Sequence, residues 1–293
     1  MNPKNEAQLS FDDPDRLEWS NLPLEQITRK GLIISNLNDT QRLAVHALLR
    51  TVLSPQGYQK ALFIIQYDEG IRQRLTVAQN ALARRYGHDK YWITIFGTPH
   101  PDSVWAWQFE GHHLSLNFTH SKRGVTATPL FTGINPALTT SGMSSGQYIM
   151  ADEIELGNQF FNSLPFDLKA RATLAPHPVD ADVMARTGKE AFLKEKNGIA
   201  VIDLSRSQQD LVRKIIAAWI ENLTPQLANE KMKRAERQFS DLRFVWLGTD
   251  ETKALHYYRL FSPNFVIELT HRDGGLQHYH SVWRDLEEDF KAK

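Results

Sequence analysis

The last fifty residues constrain the fold most. Four runs of strand length, residues 242–248, 255–261, 265–271 and 276–283, follow one another with only short turns between them. Strands this close in sequence pair as an antiparallel meander, because a parallel pairing needs a crossover of a dozen residues or more. The final hairpin, Asn264 to Asp285, carries His278 and His280. Alternate positions of a strand share a face, so the two imidazoles are expected side by side, one way of building two ligands of a metal site.

Which carboxylate accompanies them depends on the turn. A three-residue loop, Asp273-Gly274-Gly275, sets Thr270 opposite His278 and Glu268 opposite His280, which puts Glu268 on the histidine face. A loop of two or four residues sets Leu269 and Ile267 opposite them instead. The first register gives two histidines and a carboxylate, a set suited to Zn, Fe or Mn without thiolates. The second leaves the histidines on an apolar face. Both registers are compatible with the residues.

A second histidine pair, His112-His113, sits in the alternating run 104–120. One parity reads Trp105, Trp107, Phe109, Gly111, His113, Ser115, Asn117. The other reads Val104, Ala106, Gln108, Glu110, His112, Leu114, Leu116, Phe118. Each parity changes character near Gly111, as a bulge or a crossing between sheets there would explain. His113 then shares a polar face with Ser115 and Asn117, which favours it over His112 as a ligand. Glu110 is a candidate general base or a partner that orients a histidine; its plainer reading is a solvated strand residue. Arg284 is a candidate for binding an anionic substrate group, or half of a surface ion pair with Asp285.

The rest of the chain is helical or irregular. Residues 1–37 read as an N-terminal arm that docks through Trp19, Leu22, Leu24 and Ile27, with an edge strand near Leu32. Asn38 and Asp39 signal a helix start, and apolar positions Leu43, Val45, Leu48, Leu49 and Val52 continue it. A second helix after Pro55 is expected to face inward through Tyr58, Leu62, Ile65 and Ile71, which makes a helical hairpin. Residues 121–150, rich in Gly, Ser, Thr and Pro, are expected to be a long covering loop. Helices are expected at 151–164, after Ser205, and from Pro225 to about Gln238. The expectation is therefore an α+β fold, an antiparallel β-sheet system packed against helical hairpins, with residues 38–293 as one domain.

Composition removes several function classes. Lys+Arg and Asp+Glu are both 34, so the formal net charge is zero and no nucleic-acid partner is implied. There is no cysteine, which excludes thiolate catalysis and thiolate metal sites. No apolar run reaches the roughly 20 residues that span a bilayer, and no export signal opens the sequence, so no membrane association and a cytoplasmic location are expected. No Gly-rich phosphate loop is present, so no nucleotide cofactor is expected. Gly142 to Gly146 matches a serine-nucleophile spacing only superficially, lacking a strand-turn-helix context.

Several motifs together resemble a known group: Phe96 to Pro99, Trp105 to Asn117, Thr128 to Pro136, and His278 to Asp285, with further likeness at Arg29 to Leu32 and Leu53 to Tyr58. They are similar to the bacterial and fungal family called domain of unknown function 3500. That family usually has Asn before its His-x-His, where this chain has Gln277. The resemblance implies no activity. The residues themselves point to a metal-dependent enzyme, hydrolytic or oxidative, acting on a small molecule. His278, His280, His113 and His112 would hold a divalent ion, with Glu268, Glu110 and Arg284 as catalytic groups. The contrasting reading is a non-catalytic protein whose histidines and tryptophans line a small-ligand pocket.

Overall fold

A computed structural model describes residues 7–75, 80–139, 146–175, 182–184, 190–248, 256–272 and 277–293. The architecture is α+β, as the sequence implies, and the chain divides into two compact units, Met1–Thr132 with Glu287–Lys293, and Gly133–Leu286.

The first unit contains strands β1 (Gln8–Leu9) and β2 (Leu32–Ile33), helices α1 (Asp39–Val52), α2 (Pro55–Arg74) and the single turn α3 (Asn80–Ala83), then β3 (Tyr91–Phe96), β4 (Trp105–Gly111), β5 (Leu114–Ser121) and all but the last two residues of β6 (Gly124–Ile134). Strands β3 to β6 are antiparallel neighbours in sequence order, with β1 parallel and β2 antiparallel to β3. Helix α1 begins with a reciprocal cap between Asn38 and Gln41, and α2 begins with Ser54 as cap and Pro55 in its first turn. Such caps contribute about 1 kcal/mol each.

The inner face of α2 differs from expectation. Its buried residues are Gly57, Ala61, Ile64, Ile65 and Asp68, so the stripe is turned from the one drawn through Tyr58 and Leu62. Asp68 therefore lies on the apolar side of the helix. On α1, Leu43 points outward, 70% exposed.

The parity switch at Gly111 is a hairpin, not a bulge. Gly111 pairs with Leu114, so His112 and His113 form a two-residue turn between β4 and β5. Reversal of the chain, with a loop of even length, puts Trp107 and Phe109 on the same face as Phe118 and Leu116, which is why the aromatic parity changes from odd to even. The ring of Tyr91 covers Gly111 so closely that a Cβ there would lie 2.3 Å from Cδ1 of Tyr91. Only glycine fits. Residues 124–134 of the stretch expected as a covering loop form strand β6, paired with β5.

The opposite face of β4 and β5 carries Gln108, Glu110, Ser115 and Asn117, all buried. The N-terminal arm lies on it and uses these side chains to satisfy its own backbone. Gln108 Nε2 donates to the carbonyls of Arg16 and Glu18 at 2.9 and 3.1 Å, and Glu110 Oε1 accepts the Ser20 N–H at 3.2 Å. Arg29 Nη2 donates to the carbonyls of Ser20 and Leu22 at 2.8 and 2.7 Å. An irregular segment can be buried only if its peptide groups find such partners.

The second unit holds α4 (Ala151–Asn162), α5 (Phe166–Ala172), the short strands β7 (Thr173–Ala175) and β8 (Ile199–Ala200), α6 (Arg206–Ile220), α7 (Pro225–Arg237), and the meander β9 (Arg243–Gly248), β10 (His256–Phe261), β11 (Phe265–His271) and β12 (Tyr279–Asp285). The order is β12-β11-β10-β9-β7, with β8 also on β9. Both sheet faces are buried, so β10, β11 and β12 contain no exposed residue. On one face Phe160 and Phe161 of α4 meet Phe244 and Trp246, and the Tyr258 ring fills the notch at Gly157. The other face packs Val245, Leu247, Tyr257, Phe261 and Val266 against Leu193 and Met184.

Candidate metal centre

The register of the last hairpin places the histidines. Thr270 pairs with His280 and Glu268 with Val282. Glu268 thus lies on the histidine face, as in the first of the two expected registers, but it is shifted one pair along the ladder. The loop residues Asp273 to Gly275 lie outside the described residues, as do Gly142 to Ser145 of the nucleophile-like spacing. One step beyond β12, the His278 carbonyl accepts the Arg272 N–H at 2.8 Å, which continues the ladder.

The Nε2 atoms of His278 and His280 are 3.0 Å apart. On the far side of the His280 ring, Nδ1 meets Asp182 Oδ1 at 2.8 Å. A carboxylate there accepts, so Nδ1 carries the proton and Nε2 presents its lone pair toward His278. This is how a metal-binding imidazole is held: the remote nitrogen is fixed by a carboxylate, which sets both tautomer and ring orientation. Two Nε2 ligands on tetrahedral zinc lie about 3.3 Å apart, so the observed spacing needs only a few tenths of an ångström of movement. Burial raises the Asp182 carboxyl, but the hydrogen bond and charge of His280, with Arg272 at 3.5 Å, outweigh it and hold the group below the usual carboxylate range.

Asp182 was invisible in the sequence, where nothing distinguishes it from a loop aspartate. Glu268 is fully buried. Its Oε1 accepts from the Tyr257 hydroxyl and from the Met184 N–H at 3.2 Å, and it pairs across the ladder with Arg259. Arg284 is buried in β12 on the His280 face. Neither Arg284 nor Asp285 is at the surface, where an ion pair between them was one expectation. Asp285 is also buried and accepts two hydrogen bonds from Arg234 of α7, at 2.7 and 3.0 Å, with Lys231 Nζ at 3.8 Å.

The other candidates belong to the first unit. His112 Nδ1 meets Asp68 Oδ1 at 2.6 Å, and the rings of His112 and His113 stack at 3.7 Å. The Tyr91 hydroxyl lies 3.2 Å from Asp68 Oδ2 and 2.9 Å from the His112 carbonyl. Burial raises the Asp68 carboxyl, partly offset by His112 and Tyr91. Asp68, His112 and His113 each bring one ligand atom within 4.8 Å of the others. Glu110 is not a solvated strand residue. It is buried just before this turn, accepting from Ser115 Oγ at 2.7 Å, with Arg29 Nε at 3.8 Å, and burial raises its carboxyl. Trp105 and His120 stack at 4.1 Å beside an open cavity of about 320 Å³ that they line with Pro99, His100, Pro101 and Ser121. Trp107, Trp246 and Trp283 are core, as expected. No helix among the described residues is long and apolar enough to cross a membrane.

Residues 1–292 match the family described as protein of unknown function (DUF3500), and the chain belongs to that family. No curated protein and no solved structure matches it.

Proposed function

We propose that the protein is a metal-dependent enzyme acting on a small molecule, with His278 and His280 as ligands of a divalent ion and Asp182 as the group that positions His280. The observation that carries this reading is the pair of Nε2 atoms 3.0 Å apart, one of them backed by a carboxylate at 2.8 Å. With no cysteine in the chain, imidazole and carboxylate point to Zn, Fe or Mn. Bound there, a divalent ion would supply a Lewis acid that polarises a substrate oxygen or lowers the pKa of a water. Glu268 and Arg284 share the His280 face of the sheet. We assign Glu268 to proton transfer and Arg284 to an anionic substrate group. Hydrolysis and oxygen chemistry both use this donor set, and the substrate decides between them.

Elemental analysis of protein purified without chelators tests the proposal. A stoichiometric transition metal is expected, and both His278→Ala and His280→Ala should lower its content per chain. If wild-type protein holds no metal and takes up none when Zn, Fe(II) or Mn is added, the histidines line a metal-free ligand pocket instead.

A further inference from the structure

The His112-His113 turn places a histidine where a smaller residue is the rule. Two-residue hairpin loops favour Gly or Asn where the backbone is left-handed. Here His113 takes φ 62° with a full imidazole, 3% exposed. A left-handed non-glycine residue costs about 1 kcal/mol or more, and persists where its surroundings over-determine it. What surrounds it is a constructed cluster. Asp68 projects from the apolar stripe of α2, 1% exposed, and its carboxylate reaches His112 Nδ1 at 2.6 Å. Tyr91 fixes both, lying 3.2 Å from Asp68 Oδ2 and 2.9 Å from the His112 carbonyl. Tyr86 stands edge-on to the His112 ring at 5.1 Å.

We propose that Asp68, His112 and His113 bind a divalent cation, a metal site built from residues of the first unit. Two imidazoles and a carboxylate are the donor set of Zn, Fe(II) and Mn sites without thiolates. Their ligand atoms already lie within 4.8 Å of one another. When the cation enters, the Asp68–His112 hydrogen bond gives way to coordination, and the 2.6 Å contact opens to the wider spacing of a coordination shell. Asp68 is therefore the carboxylate ligand of this unit, a role that alternation along the strands could not reveal because it comes from a helix. The inference does not rest on the function proposed above, since it uses none of the same residues.

The test uses the full chain carrying His278→Ala and His280→Ala, so that the other pair is removed. Zn²⁺ titration by calorimetry should show about one equivalent bound. Adding Asp68→Asn, which keeps the shape of the side chain, or His113→Asn, which tolerates the left-handed backbone, should weaken Zn²⁺ binding at least tenfold while circular dichroism stays unchanged. Co²⁺ in place of Zn²⁺ should give visible absorption bands that these variants abolish. If the doubly substituted background binds no Zn²⁺, or if Asp68→Asn and His113→Asn leave its affinity unchanged, this site does not exist. The His278/His280 assignment is read separately, in proteins that retain Asp68, His112 and His113.

Discussion

Removing the Asp182 carboxylate should weaken metal binding without touching a ligand. In Asp182→Ala, the Nδ1–H of His280 loses an acceptor at 2.8 Å, in a ring only 2% exposed where water replaces it poorly. The ring is then free to turn, and Nε2 no longer points steadily at the position it shares with His278, 3.0 Å away. Loss of such a supporting partner costs about 10–100-fold in metal affinity, or about 1.4–2.7 kcal/mol. In metal-free buffer the same substitution removes a charge-assisted hydrogen bond, a loss of about 1.5–3 kcal/mol that chemical denaturation would register. Asp182→Asn retains an acceptor oxygen and should fall between wild type and Asp182→Ala. Arg272→Gln, which removes only the 3.5 Å cation on the other carboxylate oxygen, should lose less than tenfold. Competition against a chromophoric chelator for Zn²⁺ measures all of them on one scale. Wild-type affinity in Asp182→Ala, alongside lost affinity in His280→Ala, would refute the idea that the carboxylate orients the ligand.

Three further outcomes follow from packing and charge. Gly157→Ala puts a Cβ 2.2 Å from Cε1 of a Tyr258 ring that is fully buried beside Phe244 and Trp246, so a net loss of about 1–3 kcal/mol is expected by thermal or chemical denaturation, despite alanine's better helix propensity. At position 113, where φ is 62°, His113→Gly should be more stable than His113→Ala by about 1 kcal/mol, the reverse of their order in ordinary backbone. Burial raises the Glu110 carboxyl above its unfolded value, so the folded state holds the proton more tightly. That contribution favours folding at low pH and is lost as pH rises from the unfolded pKa through the folded one. The stability of wild type minus that of Glu110→Gln should therefore fall across that interval, and a difference that rises with pH would contradict the burial argument.

The meander was legible because four strand runs with short gaps admit one simple pairing, and the helix starts near Asn38, Pro55 and Ser205 were legible because capping residues and proline are local signals. The His112-His113 turn was hidden for a physical reason. Turn chemistry is read from Gly, Asn and Asp, and a histidine in the left-handed region carries no such mark. The parity change at Gly111 was the visible trace, and reversal of direction explains it more simply than a kink. Asp68 left a fainter trace, a carboxylate at the seventh position after Ala61 along the stripe Ala61, Ile64, Ile65. Reading that stripe one residue out of phase hid it. Asp182 left none, because the partner of a histidine 98 positions away is chosen by tertiary packing alone.

The division of the chain has a consequence for biosynthesis. Glu287–Lys293 belongs with the opening part of the sequence, where Arg16 donates to the Phe290 carbonyl, Thr126 to that of Lys291 and Thr128 to Asp289. The second unit is thus an insertion, and a growing polypeptide must make all of it before the first can close. A premature stop codon near position 287 would spare the whole meander, yet its damage would surface among residues translated at the outset.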